Sequence, residues 1–186
     1  MGIRLRSALA VATALAAVTL FVGWRSMSAH SMAGVRIEPG APTCSGVGVE
    51  VDRSGDHFRP MIPLRPGMSC QIPYWVVNPG DRDVTVTGLT YPVGGPGARA
   101  EWKVVPVEYR RPDPSSDLDA VWTGSVEVEA GGETAIVVAV KYRPKGCTDQ
   151  GRMWVWPTFT VRSLGRERTV EAPPAPTFRG TRTCIL

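Results

Sequence analysis

The sequence predicts an all-β fold: one antiparallel β-sandwich of about seven to nine strands, preceded by a single apolar N-terminal helix. Three observations predict it. Ser7–Trp24 is a charge-free apolar run, and beyond it no stretch shows a helical period. From Val47 onward, short runs of Val, Ile and aromatic residues alternate with polar ones. Glycine (20) and proline (17) punctuate those runs at the spacing of turns.

The N-terminal run explains most of the charge. Arg4, Arg6 and Arg25 flank it, and from Gly34 onward 18 basic residues face 17 acidic ones. The formal charge of +4 therefore leaves +1 for the domain, with no basic block, and nucleic-acid binding has no support. Arginine exceeds lysine 18 to 3, a bias that suits a GC-rich bacterial genome. As a helix, Ser7–Trp24 spans roughly 27 Å, just short of a hydrocarbon core of about 30 Å. Arginines ahead of it predict an N-terminus inside and a domain outside the membrane. A retained transmembrane anchor and a cleaved signal peptide are both open, with Ser26-Met27-Ser28 and Ser31-Met32-Ala33 as small-x-small sites. The expected division is a cytoplasmic piece at 1–6, the membrane or signal helix at 7–24, an irregular stalk at 25–43 and an extracytoplasmic domain at 44–186.

Val47, Val49 and Val51 alternate with polar residues as a first strand. In Ser69–Asn78, Cys70, Ile72, Tyr74 and Val76 share one face. Asn78-Pro-Gly-Asp turns the chain toward Val84, Val86 and Leu89, which reads as a hairpin. Glu101–Tyr109 is a further strand. Arg110–Asp119 is a polar loop of the length that carries recognition on sandwiches, or a solvated connection. Gly131-Gly132 precedes Thr134–Tyr142, whose nearly continuous Ile, Val and Ala predict a central strand buried on both faces. Met153–Val161 and Arg168–Ala172 read as a hairpin across Leu164–Arg166, and Glu171–Arg182 as proline-rich and irregular.

The stretch Leu64-Arg-Pro-Gly-Met-Ser-Cys-Gln-Ile-Pro-Tyr-Trp-Val-Val-Asn-Pro-Gly-Asp resembles the second-strand region of bacterial extracytoplasmic immunoglobulin-like modules. Ala130-Gly-Gly-Glu-Thr-Ala-Ile-Val-Val is similar to the edge before a later central strand of such modules. The resemblance covers about 40 residues and consists of turn chemistry. It implies an immunoglobulin-like sandwich and an extracytoplasmic address, and carries over no functional residue.

Cys44, Cys70, Cys147 and Cys184 are four cysteines in an exported chain, which reads as two disulfides. Three pairings are possible. Cys44–Cys70 with Cys147–Cys184 is favoured, because each clamps one end of the domain. A metal site is not expected: there is no C-x-x-C, and His30 and His57 fit no Cys/His ligand spacing.

Catalytic groups are not expected either. His57 lies in Gly55-Asp-His-Phe58 with no Gly-x-Ser-x-Gly elbow beside it, and reads as a solvated loop histidine. Glu127 and Glu129 fall about 6.5–7 Å apart on one strand face, a pair that could serve glycoside hydrolysis. Their alternation with Val126 and Val128 reads instead as a solvent-facing edge. Trp154 and Trp156, two apart, would project to one face as a platform for sugar rings or a partner, or inward as core. The expected protein is a non-enzymatic interaction or structural module of the cell envelope, without a cofactor. It contacts the membrane and envelope proteins or polysaccharide. A carbohydrate-binding module using Trp154 and Trp156 is the alternative, and a hydrolase with an unrecognised site the third reading.

Overall fold

The structure is a computed structural model that describes residues 2–52, 59–92, 94–95, 100–105, 119–143 and 152–180, with backbone alone at 2–10, 52 and 152–154. It opens with helix α1 (Gly2–Ala33). Between positions 11 and 22 the apolar side chains Val11, Leu15, Val18, Leu20, Phe21 and Val22 are all exposed. Val11–Ala33 is 23 residues, long and apolar enough to cross a membrane, with a length of about 34 Å.

The helix does not end at Trp24. Residues 25–33 continue it, and strand β1 (Arg36–Pro39) follows, so 25–43 is not the irregular stalk expected. The cause is docking. Ser28, Ser31 and Met32 are buried against the sandwich. Ser28 Oγ donates to the Ser163 carbonyl at 2.9 Å, and Trp24 Nε1 to the Leu164 carbonyl at 3.0 Å. Arg168 Nη1 donates to the Met32 carbonyl at 2.9 Å, satisfying one of the acceptors that a helix C-terminus leaves open and placing a cation at its negative end.

Twelve more strands follow among the described residues: β2 (Thr43–Ser45), β3 (Glu50–Asp52), β4 (Arg59–Pro63), β5 (Ser69–Val77), β6 (Val84–Tyr91), β7 (Ala100–Val105), β8 (Ala120–Val128), β9 (Glu133–Tyr142), β10 (Arg152–Trp154), β11 (Thr158–Ser163), β12 (Arg166–Glu171) and β13 (Thr177–Arg179). Eight of the thirteen have five residues or more, which matches the strand number expected; the short ones extend the sheets at their margins. The first sheet runs β1-β5-β9-β7, with β2 also on β5; the second β10-β13-β4-β3; the third β12-β11-β6-β8. Every pair is antiparallel except β13 with β4, which is parallel.

The first sheet is one layer of the sandwich and the other two form the facing layer. Tyr74 on β5 meets Phe159 on β11 at 5.6 Å and Tyr91 on β6 at 6.4 Å, ring centre to ring centre. Tyr142 on β9 meets Phe178 on β13 at 5.9 Å. Cys70, Ile72, Tyr74 and Val76 are all buried between the layers, as the period-two pattern requires. Each such side chain contributes roughly 1.5–3 kcal/mol when buried.

Several expected connections are different. β5 and β6 are not a hairpin: one lies in the first sheet, the other in the third. Both carry apolar faces that must reach the core from opposite sides, so the chain crosses layers at Asn78–Asp83. β8 and β9 cross back at Glu129–Gly132. Asn78, fully buried, ties the two crossings together: its Nδ2 donates to the carbonyls of Arg82 (2.8 Å), Val128 (3.2 Å) and Glu129 (3.0 Å). Main-chain bonds from Asn78 to Gly132 and from Gly131 to Gly80, both 2.9 Å, close the same corner.

β9 is central, as expected, but buried on one face only. Ile136, Val138, Val140 and Tyr142 point inward, whereas Ala135, Val137 and Ala139 are half-buried. Only the end of the Val47–Val51 run is strand: residues 46–49, opening at Gly46 with φ +80°, link β2 to β3, which joins the second sheet. Met153–Val161 is likewise two strands, separated at Val155–Pro157, where the chain passes from the second sheet to the third. Proline has no N–H to give a ladder there. The expected hairpin partner is correct, with β11 and β12 joined at Leu164-Gly165. Within the proline-rich tail, β13 is ordered because Phe178 is buried in the core. The far ends of the expected strand Glu101–Tyr109 (106–109) and of the loop Arg110–Asp119 (110–118) lie outside the described residues, as does His57.

Candidate functional site

Alternation that buries one face of β5, β9 and β7 leaves the other face outward, and this outer surface of the first sheet is the candidate site. Register assembles it. Trp75 stands opposite Ala135 on one side and Glu38 on the other; Pro73 stands opposite Val137, which in turn faces Val105. Directly opposed side chains have Cβ atoms about 4.5–5.5 Å apart, so Trp75, Pro73, Ala135, Val137 and Val105 make one apolar stripe across three strands. Trp75 and Val105 are each 40% exposed. An exposed indole in mid-sheet is unusual enough to mark a contact surface.

The stripe runs into a groove of about 590 Å³ at the end of the sheet far from α1. Its floor is Ala139. Around it stand Thr43, Gln71, Glu101, Lys103 and Lys141, two of them being two of the chain's three lysines. Glu101 also accepts from Arg143 Nε at 3.0 Å, and at the other end of the stripe Arg36 Nε donates to Glu38 at 2.7 Å. Both ion pairs are exposed and set local charge more than stability. The arrangement offers an apolar centre with polar, mostly cationic margins. That composition suits contact with a partner surface or a sugar chain.

Beneath this end of the sheet lies the Cys44–Cys70 disulfide. The two cysteines are directly opposite on β2 and β5, with Cα atoms 4.1 Å apart, the close approach of a non-hydrogen-bonded pair. The bond holds the three-residue β2 to the sheet. Cys147 and Cys184 lie outside the described residues.

The expected Trp154–Trp156 platform lies partly outside the described residues. Trp154 ends β10 and its side chain lies outside the described residues; Trp156 lies in the link to β11 and is 43% exposed, next to fully buried Val155. The two belong to no common strand face. Glu127 is an exposed side chain of edge strand β8 and Glu129 an exposed one just past its end, with Val128 buried between them. Among the described residues, no group of three or more His, Cys, Asp or Glu side chains gathers to hold a metal.

Trp75 does not stand out in the sequence, because Cys70, Ile72, Tyr74 and Val76 dominate the pattern of β5. The signal was present: the same alternation that buries Tyr74 and Val76 puts Gln71, Pro73, Trp75 and Val77 on the opposite side.

No family model matches the chain, and no curated protein matches it. Solved structures with a loose likeness include a FixG-related protein from Vibrio parahaemolyticus, at 11% identity over 76% of this chain and 98% of that one, with a TM-score of 0.37. The sporulation control protein Spo0M of Bacillus subtilis has 11% identity over 76% and 51%, with a TM-score of 0.35. A variant of carbohydrate-binding module CBM3b, from cellobiohydrolase 9A of Clostridium thermocellum, has 12% identity over 75% and 99%, also at 0.35. These likenesses are too loose to carry an argument about function.

Proposed function

We propose that the chain is a membrane-anchored, non-enzymatic interaction module of a bacterial cell envelope, contacting its partner through the outer face of the first sheet. The observation that carries this reading is the uncovered stripe of Trp75, Pro73, Val137 and Val105 beside the polar groove. The address is supported by the disulfide, which persists outside the reducing cytoplasm, and by the exposed apolar side chains of α1 from Val11 to Val22. Retention of the helix is supported over cleavage: both small-x-small sites lie within α1, and Ser28, Ser31 and Met32 are buried in the sandwich.

Cross-linking of the full-length protein in membranes of its own cells, followed by recovery, tests the reading. A specific partner recovered with the natural chain and lost with Trp75→Ala is expected. Recovery that is indifferent to Trp75 removes the proposed face, and repeated failure to recover any partner removes the interaction module. An exposed indole next to polar side chains also favours polysaccharide as the partner class. Co-sedimentation with isolated wall polysaccharide separates this from a protein partner.

A further inference from the structure

Leucine is out of place at position 164. Leu164 and Gly165 form the two-residue turn between β11 and β12, with φ of +49° and +76°. Such turns select Asn-Gly or Asp-Gly, because a bulky side chain at positive φ is strained. The core does not compensate, since Leu164 is 39% exposed. What lies beside it is α1. Trp24 Nε1 donates to the Leu164 carbonyl at 3.0 Å, Ser28 Oγ to the Ser163 carbonyl at 2.9 Å, and Arg166 Nη1 to the Arg25 carbonyl at 3.4 Å. These bonds fix the hairpin tip at the level of Trp24, where the uncovered apolar helix ends and Arg25 supplies the first charge. Phe21 packs on Trp24 at 5.8 Å between ring centres, and the Arg25 guanidinium lies over Phe21 at 5.8 Å.

We infer that the β11–β12 tip is a lipid-contacting surface, with Leu164 seated in the interfacial layer of the bilayer that holds α1 and Arg25 and Arg166 meeting lipid phosphates. The inference rests on the anchored reading above. Two independent features motivate it: an exposed leucine kept in a strained turn, and its fixed place beside an interfacial tryptophan and two guanidiniums. Tryptophan is a usual resident of that layer, long arginine side chains reach it by snorkelling, and the guanidinium fork suits phosphate. The contact also orients the sandwich. β5 leads away from the α1 end, from Val77 to Ser69, over about 27 Å, so the groove around Ala139 faces outward from the membrane.

The test uses the full chain in vesicles of phosphatidylethanolamine and phosphatidylglycerol. A photo-crosslinking amino acid replaces Leu164, Arg166, Val18 or Lys141, one at a time, with Cys44–Cys70 pairing mapped in each sample as the sign of an intact fold. Lipid adducts are expected at 164, 166 and 18, and none at 141. Adducts at 18 without any at 164 and 166 overturn the tip contact and leave the anchor standing. Protein adducts at 164 in place of lipid overturn it as well. Absence at 18 too overturns the anchor itself. Position 166 lies one residue past the strained turn, so the outcome does not depend on tolerance at 164.

Discussion

The side-chain amide of Asn78 donates to the main-chain carbonyl of Glu129 at 3.0 Å, joining two layer crossings that lie 51 residues apart in the chain. The same nitrogen serves Arg82 and Val128, and Asn78 Oδ1 accepts from the Gly80 amide at 3.2 Å. Its site is fully buried, so water cannot replace these bonds. Asn78→Ala is expected to cost about 2–4 kcal/mol, the price of orphaned buried carbonyls. Asn78→Asp keeps the shape but turns donors into an acceptor facing three carbonyls, and costs more at neutral pH. Burial would raise that carboxyl's folded pKa above its unfolded value, so the Asp variant is more stable in acid and loses stability as pH rises. Thermal unfolding of both variants across pH checks the ordering and the sign.

The fold was legible where a single pattern decides the answer. Period-two alternation in β5 named its buried set, and the charge-free run named α1. The connections were not legible. Asn78-Pro-Gly-Asp has the chemistry of a hairpin turn, and only the need to place Val84 and Val86 on the opposite side of the core makes it a layer crossing. Likewise, Ser28, Ser31 and Met32 look like stalk residues until a hairpin is present to bury them. The candidate face was half legible. Trp75 follows from strand parity, but its joining to Val105 depends on β7 pairing with β9, a long-range register that the sequence does not display.

Gly124 leaves the space in which Trp122 lies. A Cβ at 124 would collide with Cζ2 and fall 2.7 Å from Cε2 of the Trp122 ring, which is itself almost wholly buried. Gly124→Ala therefore forces a fully buried indole of the core to move. A loss of about 2–3 kcal/mol is expected. Loss of the native near-ultraviolet signature of a packed indole, with strand content kept, identifies the cause as repacking. An unchanged melting temperature would refute the role of this glycine.

The Cys44–Cys70 bond closes a loop with a sequence separation of 26. In the chain-entropy account such a loop contributes about 3–4 kcal/mol through the unfolded state. The double Cys44→Ala, Cys70→Ala variant tests this without reductant acting elsewhere. Its expected phenotype is local as well as global: among the described strands β2 pairs with β5 alone, so amide exchange at Thr43–Ser45 rises more than at Ile136–Val140 in the sheet centre.

Three buried phenols make the sandwich sensitive to alkali. Burial pushes the hydroxyls of Tyr74, Tyr91 and Tyr142 above the ordinary value of 10.0, and for Tyr91 the neighbouring Tyr74 and Tyr142 rings add to the effect. Tyr74 is held further by its bond to the Ala175 carbonyl at 2.7 Å. Each of these groups keeps its proton in the folded state at a pH where the unfolded chain would release it. Their contribution to stability is therefore complete below pH 10 and falls as pH rises beyond it. Phenolate absorbance should rise for these three only together with unfolding, in one cooperative step above pH 10. Smooth ionisation of all tyrosines while the fold persists would contradict their burial between the layers. Tyr91→Phe, which removes the phenol of the most enclosed of the three, should shift that step to higher pH.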